Sequence, residues 1–185
     1  MFLRENEIGR RVGAHLEPGW TLLDVGSGTG LISLHLRTRY AVRPTLTDLV
    51  LYDRTGLPRV EMASSTEIPV PDDAFDAAML LFVFHHMAGW KDQERLLDEV
   101  VRVARKRVIV IEDTPGSRAE RAVNAAWDWL LNLRHGVPTP FTFRSTEEWI
   151  RLFRERGLTV VDVDRYRAKW PSLATYHHTL FALDV

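Results

Sequence analysis

Thr21-Leu22-Leu23-Asp24-Val25-Gly26-Ser27-Gly28-Thr29-Gly30-Leu31 decides how this chain is read. An apolar run passes into three glycines at alternate positions, then into a helix-like pattern carrying Leu31, Ile32, Leu34, His35 and Leu36. That succession predicts a buried strand, a tight turn and a helix N-terminus. Glycines at 26, 28 and 30 free the backbone for positive φ and let a ligand approach the main chain without meeting a Cβ. The N–H groups that open a helix favour an anionic or carboxylate-bearing partner. Taken alone, the stretch is either a plain strand-to-helix connection or the seat of a nucleotide-type ligand.

Working outward, Ala41-Val42-Arg43-Pro44-Thr45-Leu46-Thr47-Asp48 reads as a second strand ending in an acid. A carboxylate there can accept both hydroxyls of a ribose. Glu67-Ile68-Pro69-Val70-Pro71-Asp72-Asp73-Ala74-Phe75-Asp76 then leads into an apolar run ending Phe82-Val83-Phe84-His85-His86-Met87. The G-x-G-x-G turn, with Asp24 two residues before it, resembles the first motif of the class I methyltransferases that use S-adenosylmethionine (SAM). The 67–76 stretch and the two histidines resemble the methyltransferase type 11 family. The likeness runs from about Trp20 through Val185.

That resemblance implies a single-domain α/β fold over residues 1–185. It would be a Rossmann-like doubly wound sheet of seven strands in the order 3-2-1-4-5-7-6, the last antiparallel. It further implies that Gly26, Ser27, Gly28 and Gly30 line the methionine part of SAM, with Asp24 holding the turn. Asp48 would bind the ribose, Leu49 would pack on adenine, and Leu81, Phe82 and His86 would flank the methionine moiety. Where the family carries an acid for the adenine amine, this chain has Ser64-Ser65, a weaker acceptor. It also lacks the family's K-P-G-G turn before the fifth strand, having Ala104-Arg105-Lys106-Arg107.

Strand and helix signals alternate along the whole chain, which independently points to a parallel α/β sheet. Residues 1–17 form an amphipathic helix with Ile8, Val12 and Leu16, closed by Pro18-Gly19. Leu49–Arg54 reads as a short helix, Arg59–Ser64 as the third strand and Phe75–Phe84 as the fourth. A helix over Lys91–Arg105 and a strand at Val108–Ile111 follow. Ser117-Arg118-Ala119-Glu120 and Ser145-Thr146-Glu147-Glu148 have capping-box spacing, and Gly136 and Gly157 stop the helices they open. Leu158–Val163 and Tyr176–Leu183 are the last strands.

With 45% hydrophobic residues and a net charge of −1, composition describes an ordinary globular domain. The balance provides no broad basic footprint, so nucleic acid is not the expected partner. There is no cysteine, hence no disulfide and no thiolate site. No apolar run reaches membrane-span length, and a cytoplasmic monomer or homodimer is expected. The adjacent histidines 85–86 and 177–178 alternate in direction along a strand, so no metal site is expected.

Methyl transfer from a sulfonium is an in-line displacement in which orientation supplies about 7–11 kcal/mol. A nucleophile that must lose a proton needs a base as well, and His85, His86, Glu112 and His135 are the candidates, with Asp113 beside them. The proline-rich aromatic segment 135–144 reads as a substrate-side loop. Within it Phe141 and Phe143 are expected to line a pocket, whereas Trp127 reads as core and Trp129 as surface. A small-molecule methyl acceptor, with S-adenosylhomocysteine as co-product, is the expectation. The alternatives are a SAM-binding protein of the same fold that does not turn over and a dinucleotide dehydrogenase. The dehydrogenase would require a glycine where Leu31 stands. A nucleic-acid methyltransferase is weaker still, because Leu80-Leu81-Phe82-Val83 occupies the place of its proline-aromatic motif.

Overall fold

The structure, a computed structural model, describes residues 2–50, 53–132, 140, 142–167 and 177–185. Val108, Ile109, Val110 and Ile111 are all fully buried although neighbours on a strand face opposite ways. A strand apolar on both faces needs cover on both, and it lies in the interior of a mostly parallel sheet, with one parallel and one antiparallel neighbour. The strands are β1 (Thr21–Val25), β2 (Arg43–Asp48), β3 (Arg59–Glu61), β4 (Phe75–Leu81), β5 (Ala104–Asp113), β6 (Thr159–Arg167) and β7 (His177–Asp184). They order as β3-β2-β1-β4-β5-β7-β6, with β7 antiparallel to both of its neighbours. This is the expected doubly wound sheet.

Helices α1 (Phe2–Gly13) and α2 (Leu31–Tyr40) cover one face, and α3 (Trp90–Val103) and α5 (Thr146–Glu155) cover the other. α4 (Arg118–Asn132) follows β5. The core on the first face holds Ile8, Val12, Leu36, Ile109 and Ile111, and that on the second holds Leu97, Val108, Val110, Trp149 and Phe153. α1 approaches α2 closely because two glycines face it. A Cβ on Gly9 would lie 2.4 Å from the His35 ring, and one on Gly13 would lie 2.4 Å from Tyr40.

The capping box at Ser145 is complete: its hydroxyl accepts from Glu148 N–H, and the Glu148 carboxylate accepts from Ser145 N–H. The one at Ser117 is half-formed, because the Glu120 carboxylate takes the Gly116 N–H instead. Of the expected helix over Leu49–Arg54, residues 51–52 lie outside the described residues, and the described ones are not helical: 49–50 bend and 53–54 are irregular. There Asp48 and Asp53 carboxylates accept the N–H groups of Val50 and Thr55, a local alternative that competes with helix. β3 keeps three residues because Ser64 turns into a bridge with Glu67. β4 stops at Leu81, where Phe82 takes φ +63 and the chain enters a 3-10 turn at Phe84–His86. β5 begins directly after α3, and its Arg105 and Lys106 pair with Asp76 on β4.

Candidate functional site

The glycine turn sits at the carboxyl end of β1 and is stitched to β2 by Gly26 N–H and Ser27 N–H, which donate to Thr47 O over 2.8 and 3.2 Å. All three glycines have positive φ. Packing accounts for two of them: a Cβ on Gly26 would stand 2.6 Å from Val83, and one on Gly30 would stand 2.8 Å from Leu46. Gly28 meets nothing within 4 Å, so its bareness serves the space outside. Asp48 reaches that space, accepting from Gly28 N–H over 2.8 Å and, through its other oxygen, from Val50 N–H over 3.2 Å. The hollow bordered by Ser27, Gly28, Thr47, Asp48, Val50 and Arg59 is about 10 Å³, far below the ~300–1,000 Å³ of ordinary ligand pockets. A roomier groove of about 790 Å³ lies between residues 66–72 and α3. Its Arg102 is already paired with Glu99 and Asp72, and no turn residue borders it.

Asp24 is buried within β1 and accepts from Ser33 Oγ over 2.7 Å. Burial pushes its carboxyl up to about 7; the Ser33 hydrogen bond opposes the rise and the nearby Asp48 charge adds to it.

At the ends of β4 and β5, Glu112 is the organising group. One carboxylate oxygen accepts from Val83 and Phe84 N–H over 2.8 and 2.7 Å, and the other meets His85 Nδ1 at 2.7 Å. All of these groups are buried or half-buried. His85 stacks on Phe143, with ring centroids 5.6 Å apart, and lies 4.1 Å from the His86 ring. The two histidines therefore neighbour each other, unlike residues on a strand, because they sit in the 3-10 turn. Gln93 was not anticipated. From the apolar face of α3 its amide donates to Phe84 O and Thr142 O and accepts from Arg144 Nε. A lone glutamine in register with Leu96, Leu97 and Val100 was the available signal.

On the opposite face of β5, Asp113 meets His178 Nδ1 at 2.6 Å, and both are buried. The Phe82 ring stands edge-on to His178 at 5.0 Å, and Tyr166 lies 5.4 Å away. Arg11 of α1 covers Tyr166 and pairs with Asp164.

Of the remaining expected residues, Leu49 is 51% exposed, and Ser64 Oγ lies 3.2 Å from Thr66 Oγ1. Ser65 is half-buried and Leu81 lines the first core. Phe143 is buried, with its ring stacked on His85. Trp129 is exposed, as expected. His135, Gly136, Phe141 and the Trp127 side chain lie outside the described residues, and with them most of the 135–144 loop. Among the described residues no helix is long and apolar enough to cross a membrane, and no group of three or more His, Asp or Glu side chains is arranged to hold a metal ion.

Compared with known proteins, residues 4–163 match a family model described as a methyltransferase domain. A relative, 27-O-demethylrifamycin SV methyltransferase of Amycolatopsis mediterranei, is 28% identical over 165 residues, covering 83% of this chain and 53% of its own. The chain thus spans about half the length of that relative. A SAM-dependent methyltransferase structure from Methanosarcina mazei superposes with TM-score 0.71 at 14% identity, over 94% of this chain and 96% of the other. A [4+2]-cyclase superposes with TM-score 0.71 at 15% identity, over 97% and 80%. At these identities the likeness is one of fold, and the fold by itself does not fix the reaction.

Proposed function

The chain belongs to the methyltransferase domain family, and we propose that it moves the methyl group of SAM to a hydroxyl of a small molecule. The observation that carries the cofactor assignment is the meeting of Asp48 with the bare Gly28 N–H at 2.8 Å. An acid at the end of β2, facing a main chain stripped of side chains, is what adenosine recognition requires. Gly26, Ser27, Gly28 and Gly30 form the cradle, Asp48 takes the ribose hydroxyls, and Leu81 and Phe82 offer backbone groups. Ser64 and Ser65 stand nearest the adenine side, with Leu49 free to fold over the base.

The present hollow is too small for such a ligand. Binding therefore draws Asp48 off Gly28 N–H and moves residues 53–55 outward from the turn, where Arg54 N–H donates to Thr29 O over 3.4 Å. Phe82 supports a functional turn here, since a non-glycine residue at φ +63 carries strain of about 1–2 kcal/mol. Glu112 serves positioning: it fixes Val83, Phe84 and His85, and so sets the wall against which the cofactor rests. His86, half-buried beside it, flanks the same wall.

When bound, SAM supplies a methyl on a cationic sulfur, the O–C bond forming as the S–C bond breaks with its electron pair going to sulfur. The chain's part is to orient the two partners and exclude water. The hydroxyl acceptor rests on the relative that acts on 27-O-demethylrifamycin SV. Incubation with methyl-labelled SAM and a panel containing 27-O-demethylrifamycin SV and simple phenols tests it. Label on a small hydroxyl compound is expected; label only on protein or nucleic acid overturns the reading. SAM binding with no labelled product at all favours the non-catalytic alternative.

A further inference from the structure

We propose that Arg102, paired with Glu99, is a positioning residue for adenine recognition: it holds a strap of residues 66–72 so that Ser64 and Ser65 stand where the base of SAM lies. This rests on the cofactor reading above. β3 lies beside β2 with Glu61 opposite Asp48, so the chain leaving β3 crosses the carboxyl edge of the sheet next to the acid that takes the ribose. The glycine turn, on the β1 side of Asp48, takes the methionine end of the cofactor. The base therefore extends to the β3 side, over the exit where Ser64 and Ser65 follow.

Ser64 is tied to the strap that follows it. Its Oγ accepts the Thr66 N–H over 3.2 Å and lies 3.2 Å from Thr66 Oγ1, and its backbone bridges to Glu67. The hydroxyl therefore goes where the strap goes. Ile68 anchors the strap in the core, but beyond it Pro69 and Pro71 are exposed, and the groove of about 790 Å³ runs between the strap and α3. Packing alone leaves such a segment loose, and its two prolines have no N–H with which to pair.

Arg102 holds it instead. Nη1 donates to Val70 O and to Asp72 Oδ1, each over 2.8 Å, and Nη2 donates to Ile68 O over 2.9 Å. Nε and Nη2 grip the two oxygens of Glu99 at 2.8 and 2.7 Å, and Glu99 Oε2 also accepts the Ile68 N–H over 3.0 Å. At the far end of the strap, Asp73 N–H donates to Arg102 O over 2.9 Å. These bonds spend every N–H of the guanidinium. The pair with Asp72 is exposed and contributes little; the two carbonyls and the bidentate carboxylate fix the geometry. A lysine cannot copy it, because an ammonium offers three donors from a single point.

The test separates the base from the rest of the ligand. S-adenosylhomocysteine and S-inosylhomocysteine, which carries an oxo group in place of the adenine amine, are titrated by calorimetry into wild type, Arg102→Met and Arg102→Lys, with folding followed by circular dichroism. Wild type is expected to prefer the adenosyl compound. Arg102→Met should lose about five- to tenfold in affinity for it, the worth of one hydrogen bond, while binding the inosyl compound nearly as wild type does. Arg102→Lys should fall between. A clamp that serves stability alone would lower both affinities alike or neither, and either result overturns the proposal, as does equal binding of the two ligands by wild type. Wild type that binds neither overturns the cofactor reading beneath it. The Arg102 side chain is 30% exposed, so the variants should fold. Should Arg102→Met not do so, Arg102→Lys and Glu99→Gln, which keeps an acceptor for Ile68 N–H, decide by the same criterion.

Discussion

Asp48, the last residue of β2, holds the N–H of Gly28 at 2.8 Å across the groove between β1 and β2. The acid and the bare turn are thus brought together before any ligand enters. Asp48 is committed to a bond that a ribose hydroxyl would have to replace. Gly26 and Gly30 are bare where protein atoms crowd them, whereas Gly28, at φ +53, faces open space.

That division makes the glycines separable by experiment. Gly26→Ala drives a Cβ to within 2.6 Å of Val83 and should lower the melting temperature strongly. Gly28→Ala meets no protein atom, so it should cost only the ~1 kcal/mol of positive-φ strain while sharply weakening SAM. Thermal melts with and without SAM read both effects. Equal destabilisation by the two substitutions would contradict the division.

Glu112→Ala removes the acceptor of Val83 N–H, Phe84 N–H and His85 Nδ1 together. Leaving such groups buried and unpaired should cost about 3–5 kcal/mol, seen as a fall of roughly 10 °C in melting temperature. Glu112→Gln keeps an acceptor for the two N–H groups and should fall less. A melt of the alanine variant within a degree or two of wild type would show that Glu112 does not hold this turn.

The alternation of strands with helices and the placement of the turn were legible because strand and helix periods are strong and the glycine spacing is uncommon; the sheet order came only from the family resemblance, since periodicity does not say which strands lie side by side. Two kinds of feature were hidden. The pairing of Asp113 with His178 joins residues remote in sequence, and alternation along β7 could not say which histidine faced inward or what met it. The 3-10 turn after β4 was likewise illegible. Its apolar run looked like more strand, and the break at Phe82 is set by the Glu112 carboxylate capturing the two following N–H groups. Gln93 and Arg144 act through a tertiary network that no local pattern encodes.

Asp24 allows a pH prediction. Its carboxyl is held near 7 by burial, against 3.8 for a free one. The folded protein therefore keeps a proton that the unfolded chain gives up as pH rises from about 4 toward 7, and stability declines over that window. Above it the loss is complete, on the order of a few kcal/mol. Asp24→Asn keeps an acceptor for Ser33, so it should out-melt wild type at pH 8 and match it near pH 4. The same difference at both pH values would contradict the assignment.

Asn124 gives the opposite of the usual expectation for a buried substitution. Both amide atoms are desolvated without partners, so Asn124→Leu should stabilise the protein by about 1–3 kcal/mol. Chemical denaturation measures the effect; destabilisation would mean the amide has a partner in solution.

The most direct measurement is calorimetric titration of SAM into wild type and Asp48→Ala, with both shown folded by circular dichroism. Saturable binding by wild type, with affinity at least about tenfold lower in Asp48→Ala, is the predicted result. No binding by wild type, or the same affinity in both proteins, would contradict the assignment of this groove to SAM.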